Sequence, residues 1–384
     1  MIKLNMIQDV HDVQNLQNMH NPIFHMEKDA QVAQNMHSPT VHSPIKLLKH
    51  LDRLNTWYQT GHSYPIMIDM DLTNVCNNKC PLCCGTMGRE TIPIDFLRKL
   101  IPELKELGVK SFGLGGGGDP TCHPNVAEVI RLIKANEMEV GMYTNGFVVS
   151  DDVMDAIVNC CTWIRVSLDA DGPEIYKKTH GMDGDAFYKV TDNIKSLVSL
   201  RNRLKSNTAI GTCYLVGPHT FRGVYGAAKL SKELGVDSLR FRPFFDWGDK
   251  KSYTEEEAKA MVEELDRCLD FQDDSFSVSY PKHRTDRMVN SNLKRAYEKC
   301  NVTKFITSIT ADLKLYPCCH LKNNKKYAYG DLTKQSFKEI WLSDTREGFG
   351  DNYDLRDCPN PCQLDVHNKL LWNIKQPIPH SNFL

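Results

Sequence analysis

Short runs of apolar, strand-prone residues alternate along this chain with longer stretches in which apolar residues recur every three or four positions. The runs at 66–72, 110–114, 139–143, 163–169, 208–216 and 236–242 predict strands, and the stretches at 96–107, 126–136, 151–159, 187–204 and 221–234 predict amphipathic helices. Region 64–242 therefore supplies six βα units, the last without a clear helix. That order predicts an α/β fold with a parallel sheet and right-handed crossovers. No Gly-x-Gly-x-x-Gly or Gly-Lys-Ser/Thr element follows the first strand, which argues against a dinucleotide-binding or P-loop domain.

The flanks follow other patterns. Residues 1–43 are rich in Asn, Gln, His and Met with little apolar periodicity and are expected to be a polar, disordered tail. The irregular spacing of His11, His20, His25, His37 and His42 favours a solvated segment over a metal site. Ile45, Leu47, Leu48, Leu51, Leu54 and Trp57 mark a rim helix with Pro44 at its start. A core of 44–243 is followed by a helical connector, 244–299, and a small domain, 300–384. The latter opens on a hairpin at 305–310 and 314–318 that turns at Ala311 and Asp312, followed by a short helix at 336–341.

The chain has 384 residues, 41% of them hydrophobic, enough for one large domain and a smaller one. With 47 basic and 48 acidic side chains the net charge is −1, so no global field recruits nucleic acid. No apolar run approaches membrane-spanning length. There are 14 cysteines and no secretory signal, so a cytoplasmic setting is expected, with thiols used for metal rather than disulfides.

Three of those thiols, Cys76, Cys80 and Cys83, lie in the loop after the first strand, Val75-Cys76-Asn77-Asn78-Lys79-Cys80-Pro81-Leu82-Cys83-Cys84. Three thiolates so close hold three irons of a cubane and leave the fourth open, whereas electron-transfer clusters normally take four cysteines. Zinc is the other metal that favours closely spaced cysteines. Strand, spacing and loop together resemble the radical S-adenosylmethionine (SAM) superfamily. The resemblance implies a partial (β/α)6 TIM-like barrel and a [4Fe-4S] cluster bound by three Cys and by SAM. It also implies one-electron cleavage of SAM to methionine and a 5′-deoxyadenosyl radical. Leu82 departs from the aromatic residue common before the last cysteine, and Cys84 is taken as a bystander.

Gly115, Gly116, Gly117, Gly118, Asp119 and Pro120 follow the second strand and resemble the family's Gly-Gly-Glu-Pro segment, with Asp119 for Glu. By that resemblance Gly116, Gly117, Gly118, Asp119 and Pro120 would meet SAM, the glycines letting backbone approach the ligand closely. Asn145, Ser167 and Asp169 end the next two strands and are implied as further SAM contacts, their alternative being turn and cap residues. Arg240 and Arg242 share one face of the sixth strand and suggest recognition of a carboxylate or phosphate on SAM or substrate, or structural ion pairing. Asp246 is a candidate general base.

A second cysteine set, Cys300, Cys318, Cys319, Cys358 and Cys362, together with the predicted hairpin, resembles the SPASM or twitch extension of this family. Cys300, Cys318, Cys358 and Cys362 would ligate one auxiliary [4Fe-4S] cluster, with Cys319 an alternative to Cys318 and structural zinc an alternative to iron. Cys122, Cys160, Cys161, Cys213 and Cys268 lack ligand spacing and are expected to pack as small hydrophobes.

The expectation is thus a radical SAM enzyme that abstracts hydrogen from a sugar-like or other small molecule. The auxiliary cluster would accept the substrate electron or anchor the substrate, and a reductant such as flavodoxin or ferredoxin is implied. A peptide- or protein-modifying enzyme is the alternative within the class; the missing peptide-recognition domain at the amino terminus tilts toward the small molecule. A non-catalytic iron-sulfur carrier or zinc-binding protein is the alternative outside it.

Overall fold

The computed structural model of the protein describes residues 43–217, 220–244, 254–289, 294–322 and 324–377, with 379 and 382. The expected polar tail and Asp246 lie outside the described residues.

Seven parallel strands run in chain order, β1 (Met67–Met70), β2 (Ser111–Leu114), β3 (Glu139–Thr144), β4 (Trp163–Ser167), β5 (Ala209–Val216), β6 (Ser238–Pro243) and β7 (Ser277–Ser279). Beyond β1 the sheet continues through β8 (Ile306–Ile309), parallel to β1, then β9 (Lys314–Tyr316) and β10 (Gly330–Asp331), each antiparallel to its neighbour. The sheet is open, the partial barrel that the resemblance implies. Two features extend the expectation. The connector contributes β7, and the C-terminal hairpin joins the barrel sheet at β1 instead of standing apart. The three residues of β7 are too few to display a period in the sequence, and the pairing of β8 with β1 is a contact between distant segments.

Alternate residues of a strand point to opposite faces. On the outer face Ile68, Met70, Phe112, Leu114, Val140, Met142, Ile164, Val166, Ile210, Leu239, Phe241 and Val278 are buried. They pack under α2 (Ile94–Glu106), α3 (Val126–Ala135), α4 (Asp151–Cys160), α6 (Asp185–Leu204) and α7 (Val224–Glu233), which follow α1 (Leu51–Thr60) and, with α5 (Pro173–His180), alternate with the strands. Each such side chain contributes about 1.5–3 kcal/mol on burial. The rim segment is a 3-10 turn, Pro44–Lys49, followed by α1. Its Leu47, Leu54 and Trp57 pack with Ile66, Val302, Phe305 and Leu371, so it rests on the C-terminal region.

The inner face has a different composition. The register Asp69, Gly113, Gly141, Trp163 and the register Tyr143, Arg165, Gly211, Ser238, Ser277 place charged, aromatic and very small residues around a lumen. Glycine removes bulk where a side chain crosses: a Cβ on Gly141 would lie 2.0 Å from the Trp163 ring. Among the described residues no helix is long and apolar enough to cross a membrane.

Candidate iron-sulfur and SAM site

The three-cysteine loop springs from the end of β1 and is pinched at its base. Thr73 bridges Thr91, their hydroxyls 2.7 Å apart, and the Asn74 N–H donates to the Glu90 carbonyl at 2.8 Å. Inside it the Cys83 N–H donates to the Cys80 carbonyl at 3.2 Å, and the Cys83 thiol accepts from the Gly85 N–H at 3.3 Å. Cys76, Cys80 and Cys83 lie close enough that each charge opposes the next. Burial first, then Cys83, Asp169 and Cys76, pushes the Cys80 thiol up to about 12, and burial raises Cys76 with Asp119 and Cys83 adding to it. Cys76 and Cys80, raised in this way, become thiolates only against compensating positive charge, which an iron cluster brings. The donor set therefore fits the cluster.

The glycine segment lies against this loop. Gly118 donates to the Thr73 carbonyl at 2.7 Å and Asp119 to the Val75 carbonyl at 3.0 Å. Gly116 has φ +110°, and a Cβ there would fall 1.7 Å from Asp71 Oδ1, so both its conformation and its surroundings require glycine. Asp119 is buried, and its carboxylate accepts from the Thr121 N–H (2.9 Å) and hydroxyl (2.6 Å), the Thr144 hydroxyl (2.9 Å) and the Asn145 N–H (2.6 Å). With its lone pairs engaged within the protein, Asp119 works by holding the end of β3. Pro120 opens the 3-10 turn that Asp119 caps.

Asn145 is thereby aimed at the loop, its Nδ2 2.9 Å from Asn77 Oδ1 and 3.8 Å from Cys76 Sγ. Ser167 is on the lumen face, its hydroxyl 3.3 Å from the Cys213 thiol, so Cys213 is buried in a polar wall and not in the apolar core. Asp169 adopts φ +46° and accepts the Leu215 N–H, which ties β4 to β5; its other oxygen lies 3.8 Å from His180 Nε2. Burial raises the Asp169 carboxyl and lowers His180.

The end of α5 supports the loop, a role with little sequence signal. The Lys79 N–H donates to the His180 carbonyl at 3.2 Å, the His180 ring stacks on Tyr176 at 4.1 Å, and a Cβ on Gly181, at φ +62°, would strike the Lys79 carbonyl at 2.3 Å. Only the helix-ending glycine hinted at it.

The second cysteine set gathers from three segments. Cys300, Cys318, Cys358 and Cys362 are near neighbours. Burial and then Cys358 push Cys300 up to about 12, and burial, Cys319, Cys300 and Cys358 raise Cys318 further. Cys358 is the exception, held below its ordinary value chiefly by a hydrogen bond from Cys362. Cys319 turns away into the lumen, beside Asp69 and Cys84, and accepts from Gln363 Nε2 at 3.0 Å. The geometry thus groups Cys318 with the set and Cys319 with the lumen. Residues that sequence reasoning missed hold the segments together. Arg295 donates to the carbonyls of Leu355, Cys358 (2.9 Å) and Pro359 (2.5 Å). Asn368 accepts from the Asn301 (2.6 Å) and Val302 (3.1 Å) N–H groups, and Asp365 accepts from the Cys362 N–H at 3.1 Å. Among the described residues no three His, Cys, Asp or Glu side chains close on a point where one metal ion would sit. Of the remaining thiols, Cys161 and Cys268 are buried in the core as expected, while Cys122 donates to Asn77 Oδ1 at 3.5 Å beside the three-cysteine loop.

Arg240 and Arg242 both face the lumen, in register with Cys213 and Leu215. Burial and then the neighbouring Arg165 push the Arg240 guanidinium down to about 9.

Residues 70–213 match the family model described as the radical SAM superfamily, and residues 300–363 match SPASM, described as an iron-sulfur cluster-binding domain. The chain is 30% identical over 172 residues to the probable GTP 3',8-cyclase of Saccharolobus islandicus, covering 44% of this chain and 53% of that protein. It is 22% identical over 178 residues to the tungsten-containing aldehyde ferredoxin oxidoreductase cofactor-modifying protein of Pyrococcus furiosus, covering 44% and 49%. It thus spans about half the length of these curated relatives. In fold it is similar to Streptococcus suis SuiB bound to the precursor peptide SuiA, with a TM-score of 0.63 and 11% identity over 86% of this chain and 80% of that one. A second likeness is to anSMEcpe with bound AdoMet, at 0.55 and 17% over 79% and 88%. The chain thus carries a radical SAM domain at 70–213 and a SPASM domain at 300–363, and these domains imply a [4Fe-4S] cluster with SAM together with auxiliary iron-sulfur ligation.

Proposed function

We propose that this protein is an oxidoreductase-type radical SAM enzyme that abstracts a hydrogen atom from a small-molecule substrate held in its lumen. The observation that carries the proposal is the placement of Cys76, Cys80 and Cys83 against Gly116 and Gly117 at the carboxyl ends of parallel strands, above a polar lumen. A Cβ on Gly85 would lie 2.3 Å from the Gly117 carbonyl and 3.3 Å from Cys83 Sγ. Ligand sites of parallel α/β sheets lie at that end of the strands.

When bound by those three thiolates, the cluster supplies the electron that cleaves SAM and so generates the hydrogen-abstracting radical. The chain's own residues do the rest. Backbone carbonyls of Gly116 to Gly118 accept from the SAM ammonium, Asn145, Ser167 and Asp169 orient the remainder of SAM, and Asp119 and Pro120 hold that wall in place. Cys300, Cys318, Cys358 and Cys362 hold one auxiliary cluster on the far side of β1. Arg240 and Arg242 address an anionic group. A small protein reductant such as flavodoxin or ferredoxin delivers the electron.

The test is anaerobic reconstitution with iron and sulfide, iron counting, and a dithionite-driven assay for 5′-deoxyadenosine. About eight irons per chain, two four-iron clusters, with 5′-deoxyadenosine formed, is the expected result. Cys76→Ala, Cys80→Ala or Cys83→Ala abolishes cleavage, whereas Cys358→Ala lowers iron and spares some uncoupled cleavage. Zinc in place of iron, or clusters without cleavage, would overturn the proposal in favour of a carrier or structural protein.

A further inference from the structure

Arg165 is the least expected residue of the lumen. It lies mid-strand on β4, is 1% exposed, and its Nε and Nη2 are buried without a hydrogen-bond partner. Aromatic faces hold it: its guanidinium carbon is 5.6 Å from the centroids of both Tyr143 and Trp163. The glycines at 141 and 211 let Trp163 and Ser238 cross the wall beside it. Stranding guanidinium donors away from water costs several kcal/mol unless an anion meets them, and Arg is suited to bidentate capture of phosphate or carboxylate.

The surrounding charge points the same way. Arg240 and Arg242 face the same space, and Arg165, Arg242 and Arg284 all act on Arg240. Of the lumen carboxylates, Asp71 is taken by Lys322, Asp169 accepts from Leu215 N–H, and Asp69 is on the opposite wall, on β1.

We infer that Arg165, with Arg240 and Arg242, forms a binding site for a phosphate or carboxylate group of the substrate. The inference rests on the radical SAM proposal for what happens above it. Arg165 precedes Ser167 by two residues, so its site is one layer, about 7 Å, deeper than the SAM-contacting strand ends. The three-cysteine loop and the strand ends above would hold SAM, its carboxylate included. The unpartnered donors of the deeper Arg165 would then meet a second molecule, whose anionic end is down in the lumen and whose reacting carbon is up toward the loop.

Thermal unfolding of the reconstituted protein with inorganic pyrophosphate or with citrate, at constant ionic strength, tests this without turnover. The wild type is stabilised by one of the two, which names the group as phosphate or carboxylate, and saturating SAM shifts the half-effective concentration less than twofold. Arg165→Gln and Arg240→Gln each weaken that effect at least tenfold, while Arg222→Gln, on the 3-10 turn Phe221–Gly223, leaves it unchanged. Should Arg165→Gln fail to fold, Arg240→Gln and the SAM competition still decide. No stabilisation of the wild type by either anion, or loss of it when SAM is added, would overturn the inference. Failure to form 5′-deoxyadenosine would instead strike the radical SAM proposal, which this assay does not use.

Discussion

Lys322 grips both carboxylate oxygens of Asp71, at 2.8 and 2.7 Å, with the two side chains only 7% and 3% exposed. The pair joins residues 251 positions apart, linking the end of β1 to the segment that follows Cys318, and Gly116 packs directly on it. Burial pulls the Lys322 ammonium down, but Asp71 more than offsets this and holds it above its ordinary value. One buried ion pair thus ties together the base of the three-cysteine loop, the glycine segment and the auxiliary region.

Breaking that pair from one side is expected to be costly. Lys322→Met leaves a buried carboxylate uncompensated and lowers stability by about 3–5 kcal/mol, while the double variant Asp71→Asn/Lys322→Met recovers a large part of the loss. Denaturant titration of the wild type, both single variants and the double variant measures the coupling. Additive losses would show that the pair is not a unit.

Asp119 is expected to act through Asn145 and the end of β3. Asp119→Ala strands buried donors from Thr121, Thr144 and Asn145 and costs about 3 kcal/mol. Asp119→Glu keeps the charge but pushes an extra methylene into a filled site, for about 1–3 kcal/mol. Calorimetry orders the two, and the ordering reverses if the carboxylate is in fact free to meet a ligand.

Iron content separates the two adjacent cysteines. Cys318→Ser is expected to fall from about eight irons per chain toward four, and Cys319→Ser to stay near eight, since only Cys318 neighbours Cys300 and Cys358. The reverse pattern would exchange their roles.

Asp69 predicts a pH dependence. Burial, with Asp71 adding and Lys322 opposing, raises its carboxyl from 3.8 to about 6. The folded protein therefore binds this proton more tightly than the unfolded chain, and the stability that the group contributes at low pH is lost as pH rises through about 6. Asp69→Asn escapes that loss. Between pH 4.5 and 7, the span from near the unfolded value to above the folded one, its advantage over the wild type widens by about 1–2 kcal/mol in chemical denaturation, somewhat less than full linkage because Asp69 keeps some solvent access. A constant difference across that range would refute the assignment.

Sequence by itself determined the repeated βα order, because apolar periodicity reports which face of each element is buried, and each strand can bury its outer face only under the helix next to it. It also determined the three-cysteine loop and the glycine segment, since both are contiguous and their spacing is fixed by chemistry. Tertiary structure alone decided what depends on contacts between distant segments. The hairpin at 306–316 joins β1 as part of one sheet, Cys318 and not Cys319 faces Cys300, and Lys322 reaches Asp71. Arg165 reads in the sequence as one polar residue in an apolar strand. Only the closing of β3, β4, β5 and β6 around it turns it into a buried cation with donors to spare, because burial and missing partners are properties of packing and not of any one segment.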